Sequence, residues 1–141
     1  MHITKPSRAT HTHRQRLFAP AAKVFPLLCP VREAEWAEGW LPELVISSSG
    51  VAERDCVFIT PEKSGKAIWY ITRHEPEKWF VEMLKILPGV TACRLTIQLS
   101  ENGSECFADI TTPALVPLVT NSLLNSRLTI IISSCRRGKK H

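Results

Sequence analysis

Carboxylate side chains give this sequence its clearest capacity for acid–base chemistry. Glu33, Glu35 and Glu38 lie in a connector punctuated by proline and glycine, and Glu82 lies in a strand-like segment. A carboxylate whose pKa is perturbed by a pocket can act as a general acid or base. A solvated or salt-bridged helix face is the more ordinary explanation of the three connector residues. Glu82 is therefore the strongest single candidate for a polar group inside a cavity.

Metal binding has weaker support in the sequence. His11 and His13 share one face of a strand-like segment, and two histidines at this spacing could ligate a metal, but no third ligand is indicated. The cysteines form no CxxC pair and have no zinc-site spacing with histidine. We therefore predict no metal and no cofactor. The five widely spaced cysteines favour a reducing, cytoplasmic location; they are Cys29, Cys56, Cys93, Cys106 and Cys135.

Four tryptophans provide large apolar side chains for a core or for a cavity wall. Trp36 and Trp40 lie in the acidic connector, whereas Trp69 and Trp79 lie among strand-like segments. Core packing explains most buried tryptophans, and cavity lining is the functional alternative. Trp40 and Trp69 are the favoured lining pair. Trp79 can stack on Arg73 across a turn, which would be a structural role.

Length and composition indicate one globular domain over residues 1–141. Hydrophobic residues make up 44% and charged residues 22% of the chain, which are ordinary globular values. The net charge is +5, and four of these charges come from Arg136, Arg137, Lys139 and Lys140. We expect flexible ends at 1–8 and 134–141. We expect no secretory signal in the polar first residues, and no membrane span in 115–132, which polar residues interrupt.

The order of the elements indicates an α+β fold. Residues 9–18 alternate as a strand, Pro20 to Leu28 read as a short helix stopped by Pro30, and 31–38 read as a second short helix. Six strand-like segments separated by turn residues follow, which predicts a seven-stranded antiparallel sheet. These segments are Leu44–Ser48, Cys56–Thr60, Lys66–His74, Lys78–Leu87, Val90–Ser100 and Ser104–Pro113.

Turn lengths predict which side chains face the interior. A two-residue Asn102-Gly103 turn places Leu95 and Ile97 on the same face as Ala108 and Ile110. A two-residue turn at Pro88-Gly89 places Glu82 opposite Leu95 on that face, whereas a bulge reverses it. The face of Trp69 and Tyr70 stays open, because both faces of their segment are mixed. The predicted ligand-binding residues are Trp40, Trp69, Tyr70, Glu82, Leu95, Ile97, Ala108 and Ile110.

The chain resembles the START-related, polyketide cyclase/dehydratase-like superfamily of helix-grip domains, in particular its small bacterial members. The resemblance covers about residues 10–115. It implies a seven-stranded sheet around a long C-terminal helix, two short helices at one end, and a cavity for apolar or amphipathic molecules such as lipids, polyketides, sterols or quinones. Its motifs are Ala22–Glu33, Glu35-Trp36, Gly39-Trp40, Ser49–Glu53, Val57–Thr60, Ile68-Trp69, Thr72-Arg73, Pro76-Glu77 and Pro88–Thr91.

The C-terminal sequence departs from this family pattern. Relatives end in a long amphipathic helix rich in charged residues, whereas Leu128–Ile132 is β-branched and strand-like. One hypothesis is that 116–141 reflect a shifted reading frame. The coding DNA tests it, because one alternative frame must then encode an amphipathic helix.

Three functions follow from these observations. The first is binding of a hydrophobic or amphipathic small molecule between the sheet and the C-terminal segment. The second is a cyclase- or dehydratase-like enzyme that uses Glu82 or His13 as an acid or base. The third is an interaction protein whose basic tail contacts anionic lipid or nucleic acid, although a solvated tail is more ordinary and a nucleic-acid partner is not expected. We favour a binding protein over an enzyme.

Overall fold

Seven antiparallel strands form a single sheet in the computed structural model, which describes residues 1, 3, 5, 8–33, 41–63 and 65–115. The order across the sheet is β1-β7-β6-β5-β4-β3-β2, so the first strand pairs with the last and β2 lies at the other edge. The strands are β1 Arg8–Leu17, β2 Leu44–Ile46, β3 Val57–Glu62, β4 Gly65–Glu75, β5 Phe80–Leu87, β6 Thr91–Asn102 and β7 Glu105–Leu115.

Prolines delimit the short helices between β1 and β2. Helix α1 spans Ala21–Val24, a 3₁₀ turn follows at Phe25–Leu27, and helix α2 spans Pro30–Glu33. Pro20 lies at the N-cap of α1 with an extended ψ of 153°, one position before the first turn in which it was expected. Proline fits at these positions because its missing N–H would have no helical acceptor there.

The predicted α+β class and seven-stranded antiparallel sheet are confirmed, and so are the two short helices. Residues 34–40, which complete the predicted second helix, lie outside the described residues, as do 116–141 with the expected C-terminal helix and basic tail. None of the helices in the described ranges has the length and apolarity that crossing a bilayer requires.

The turn between β5 and β6 differs from the expected two-residue turn and changes which residues face inward. Leu87 pairs with Thr91, so the connection has three residues, Pro88 to Val90. Glu82 consequently lies opposite Thr96 rather than Leu95. Because side chains alternate between the faces of a strand, one extra turn residue reverses the alignment. Of the two alternatives left open by the sequence, the structure has the reversed one, and Glu82 does not face the interior.

The turn between β6 and β7 lies one residue later than predicted, without changing the faces. Asn102 pairs with Glu105, so the two turn residues are Gly103 and Ser104. Leu99 then lies opposite Ala108. A shift of the paired positions by two keeps every side chain on its face, so the predicted inward orientation of this strand pair is confirmed.

The core lies on one face of the sheet, here called the inner face and defined by its buried side chains. Ile71 and Val81 are fully buried at its centre, and the α1 residue Val24 is 1% exposed. The centroid of the Phe25 ring lies 5.4 Å from the centroid of the His74 ring and 5.9 Å from that of the Trp79 ring. The helical segment therefore packs over the end of the inner face where β4 leads into β5.

Candidate functional site

The inner face carries an apolar wall that contains five of the predicted ligand-binding residues. Alternation along β4, β6 and β7 places them on this face, and each is at most 7% exposed. They belong to one cluster of packed hydrophobic residues. These five are Trp69, Leu95, Ile97, Ala108 and Ile110. The structure thus brings them together as the sequence predicted, while their role in ligand binding stays a prediction.

Trp69 is fixed in the wall by its neighbours on β3. Its ring stacks on Phe58 with centroids 5.4 Å apart and an interplanar angle of 6°. The Trp69 Nε1–H donates a 3.0 Å hydrogen bond to Thr60 Oγ1, which is itself buried. A buried indole N–H needs such an acceptor. The orientation of the Trp69 ring is therefore set by both stacking and hydrogen bonding.

A buried ion pair, which the sequence prediction missed, interrupts the apolar wall. Lys85 on β5 lies on the inner face opposite Trp69, and its Nζ is 3.1 Å from Glu62 Oε1 on β3. The two side chains are only 4% and 8% exposed. Lys85 Nζ also lies 5.0 Å from the centroid of the Trp69 ring. The Lys85 side chain therefore extends over the Trp69 ring to reach Glu62. Trp69 lies on β4, the strand between those of Lys85 and Glu62.

Two turns explain why this pair was missed. Pro61–Gly65 reads as a loop, but β3 continues through Pro61 to Glu62, which pairs with Gly65. The three-residue turn at Pro88–Val90 then turns Lys85 inward. A lysine two residues from a strand end is ordinarily a solvated side chain. The sequence signal for the pair is that Lys85 is the charged member of an otherwise apolar set of inward-facing β5 residues. This signal can be read only once the length of the β5–β6 turn is known.

Tyr70 and Glu82 lie on the outer face, away from the apolar wall. The Tyr70 hydroxyl donates a 2.8 Å hydrogen bond to Asp55 Oδ1, and this bond raises the pKa of Tyr70. Thr72 Oγ1 donates a 2.8 Å bond to Glu82 Oε1. Both were predicted as ligand-binding residues with their faces left open, and their outward position separates them from the apolar wall. Trp40, the remaining predicted residue, lies outside the described residues.

Arg73 and Trp79 do not stack on each other as predicted. The Arg73 guanidinium lies 4.5 Å from the centroid of Phe80 instead. Trp79 has a left-handed backbone with φ 55° and meets Phe25 edge to face. It therefore belongs to the packing between the helical segment and the sheet.

The described cysteines are buried free thiols with the chemistry of core residues. They are Cys29, Cys56, Cys93 and Cys106. Burial raises the pKa of the Cys56 thiol, and the nearby Cys29 adds to the effect. Burial also raises the pKa of Cys93, against an opposing influence from Lys85. Because the thiolate is the reactive form, neither residue has the setting of a nucleophile.

Within the described residues, the histidine pair gains no third metal ligand. His11 and His13 are exposed on the edge strand β1, opposite Thr112 and Ile110. No group of three or more His, Cys, Asp or Glu within the described ranges could hold a metal ion. His13 thus lies on the same side of the sheet as Ile110, and it is exposed at the sheet edge rather than buried.

The outer face carries a groove of about 340 Å³ at the start of β6. Leu84, Ile86 and Ala92 form its apolar floor, and the exposed Arg8 and Arg94 flank it. The groove opens to solvent and encloses no buried charge. The inner face, which combines an apolar wall with a buried ion pair, is therefore the stronger candidate for a functional site.

The arrangement of the sheet and helices matches solved structures of one fold. Norcoclaurine synthase from Thalictrum flavum in complex with dopamine and hydroxybenzaldehyde aligns with a TM-score of 0.69 at 15% identity, covering 96% of this chain and 91% of that chain. The chain has the helix-grip fold. This agrees with the START-related resemblance of the sequence and with the α+β sheet described above.

Two further helix-grip structures extend the comparison. Ara h 8.0201 aligns with a TM-score of 0.71 at 9% identity, covering 94% of this chain and 97% of that chain. CalU16 from Micromonospora echinospora aligns with a TM-score of 0.63 at 15% identity, covering 97% and 85%. No family model matches the sequence, and no curated protein matches it. At these identities the likeness concerns the fold alone.

Proposed function

We propose that this protein binds a hydrophobic or amphipathic small molecule against the inner face of its sheet. The observation that carries the proposal is the joint presence of an apolar wall and the buried Lys85–Glu62 pair on one face. Ligand sites of this kind combine mostly apolar lining with a few placed polar groups. Burial of apolar ligand area against the wall would supply affinity, and the ion pair would fix orientation.

The helix-grip neighbours support a small-molecule ligand. Norcoclaurine synthase has been solved in complex with dopamine and hydroxybenzaldehyde, which are compact aromatic molecules. In this chain, Phe58 and Trp69 form a stacked aromatic pair in the inner face, and Lys85 lies beside the Trp69 ring. Offset or edge-to-face contacts with such rings favour an aromatic ligand.

Binding accounts for the inner face better than catalysis by the groups first considered. Glu82 contributes no side chain to the inner face, because the β5–β6 register places it on the outer face, where it accepts a hydrogen bond from Thr72. His13 lies on the same side of the sheet as Ile110, but it is exposed on the edge strand and is not among the buried inner-face residues. We further propose a cytoplasmic location, which the free, buried thiols of the described cysteines support.

Native mass spectrometry of freshly purified protein, compared with the denatured mass, tests the proposal. We expect a non-covalent adduct of a few hundred daltons that disappears on denaturation. Trp69→Leu should lower the adduct fraction by roughly two- to tenfold, because an aromatic contact contributes about 0.5–1.5 kcal/mol.

Tyr70→Leu is the matched control, since Tyr70 is the next residue on β4 and lies on the outer face. This variant should keep the wild-type adduct. An adduct that responds to Tyr70→Leu and not to Trp69→Leu would place the ligand elsewhere. A wild-type protein that shows only its apo mass, both as purified and after incubation with a panel of aromatic and lipid extracts, would contradict the proposal.

A further inference from the structure

Lys85 is buried in the apolar wall, with 3% of its surface exposed. Removing an ammonium group from water is costly unless its N–H donors meet acceptors. An apolar residue at this position of β5 would pack against Trp69 without that cost. A buried lysine in an apolar wall is therefore a candidate for ligand recognition.

The surroundings of the ammonium group define what it can recognise. Lys85 Nζ has three N–H donors; Glu62 Oε1 lies on one side at 3.1 Å, and the Trp69 ring lies on another. A ligand oxygen could accept from the remaining N–H. The Glu62 carboxylate, with two oxygens, is an acceptor next to this donor.

Building on the proposed function, we infer that the Lys85–Glu62 pair recognises a hydroxyl group on an aromatic ligand. A hydroxyl both donates and accepts, so it can accept from Lys85 Nζ and donate to Glu62. The pair is neutral overall. A ligand carboxylate would place a second negative charge beside Glu62, and this repulsion is strong in a region of low dielectric constant.

The aromatic part of the ligand follows from the wall beside the pair. Trp69 lies next to Lys85, and Phe58 stacks on Trp69 from the neighbouring strand β3 with an interplanar angle of 6°. A phenol-like molecule can pack its ring against these rings while its hydroxyl reaches the ion pair. A neutral hydroxylated aromatic molecule is thus the ligand class that fits both features.

Isothermal titration calorimetry with four matched probes tests the inference. Naphthalene has no polar group, 2-methoxynaphthalene only accepts, 2-naphthol donates and accepts, and 2-naphthoate carries a negative charge. We expect the wild-type protein to bind 2-naphthol about tenfold more tightly than naphthalene, as a hydrogen bond to a charged group implies. The methoxy compound should lie between these two, and 2-naphthoate should bind more weakly than 2-naphthol.

The variant Lys85→Met should abolish the preference for 2-naphthol and leave the naphthalene Kd within about twofold, since methionine keeps the length of the side chain. The double variant Lys85→Met with Glu62→Leu removes both charges together, which often preserves stability, and should behave in the same way. Lys66→Met is the matched control because Lys66 forms an exposed pair with Glu43. It should keep the wild-type preference.

The possible results separate the inference from the proposed function. Equal binding of naphthalene and 2-naphthol by the wild type, or an unchanged preference in both Lys85 variants, would overturn hydroxyl recognition and leave small-molecule binding intact. Tightest binding of 2-naphthoate would overturn it in favour of an anion site. If no probe binds, hydroxyl recognition is overturned, and the native adduct of the purified protein decides the proposed function independently.

Discussion

The carboxylate of Glu53 organises the loop that follows β2. Ser47 Oγ donates a 3.0 Å hydrogen bond to Glu53 Oε1, and the backbone N–H groups of Ser48 and Ser49 donate to the same oxygen. These bonds favour the ionised form and lower the pKa of Glu53. A carboxyl group whose pKa is lower in the folded than in the unfolded state stabilises the fold at every pH at which the group is ionised.

Glu53→Gln should therefore lower the melting temperature in a pH-dependent manner. Around pH 7 the wild type benefits from the charged hydrogen bonds, so the variant should melt at a lower temperature. The difference should shrink as the pH falls below the ordinary glutamate value of about 4.3 and through the lowered pKa. Calorimetric melting of both proteins between about pH 3 and pH 7 measures this.

Glu101→Gln supplies the comparison, because Glu101 is exposed on β6. At neutral pH its melting temperature should lie nearer to that of the wild type than the melting temperature of Glu53→Gln does. A Glu53→Gln difference that grows towards low pH would contradict the assignment of these hydrogen bonds to the ionised carboxylate.

The turn Pro88–Val90 determines the composition of the site although it does not contribute a side chain to it. Its three residues set the pairing of β5 with β6 and thereby turn Lys85 inward and Glu82 outward. Gly89 in this turn has a φ of +76°, a region in which glycine alone is free of strain. The β5–β6 register, and with it the site, depends on a backbone conformation that the sequence Pro-Gly-Val permits.

Gly89→Ala should destabilise the protein by about 1–2 kcal/mol, the cost of a left-handed conformation for a residue with a Cβ atom. The added Cβ would meet no atom within 4 Å, so backbone strain is the expected cause rather than a clash. Urea unfolding measures the free energy of unfolding. Val90→Ala, at an exposed neighbouring position, should change it by less than about 0.5 kcal/mol. Equal stability of Gly89→Ala and wild type would mean that the turn has a different backbone.

The pairing of β1 with β7 joins the two ends of the described chain into one sheet. Arg8 pairs with Leu115, and Arg14 holds Asp109 through two hydrogen bonds of 2.7 Å and 2.9 Å. Arg14 thereby lowers the pKa of Asp109. The helical segment, β1 and the other strands all contribute to a single hydrophobic cluster. The described structure is therefore expected to fold as one unit.

Unfolding in urea should show one transition, with the same midpoint by far-ultraviolet circular dichroism and by tryptophan fluorescence. A single core shared by all elements predicts such cooperativity. In the variant Trp69→Phe the fluorescence comes from the remaining tryptophans. Its unfolding midpoint checks that the wild-type fluorescence midpoint does not reflect Trp69 alone. Midpoints that differ between the two methods would indicate that part of the sheet unfolds separately.

Sequence patterns alone determined the element order and most of the interior. Alternation along Leu95–Leu99 and Cys106–Ile110 predicted their inward face, because a shift of the paired positions by two leaves the faces unchanged. Prolines at 20 and 30 likewise marked the short helices through their missing N–H groups. These features depend on residues close together in the chain, and local rules suffice for them.

Only the tertiary structure decided the polar content of the site. One additional turn residue at Val90 exchanged the expected Glu82 for Lys85 on the inner face, and the extension of β3 to Glu62 supplied its partner. Lys85 and Glu62 come from strands on either side of β4 and meet across Trp69. Their contact arises from register and strand order, which are properties of the assembled sheet rather than of any local segment.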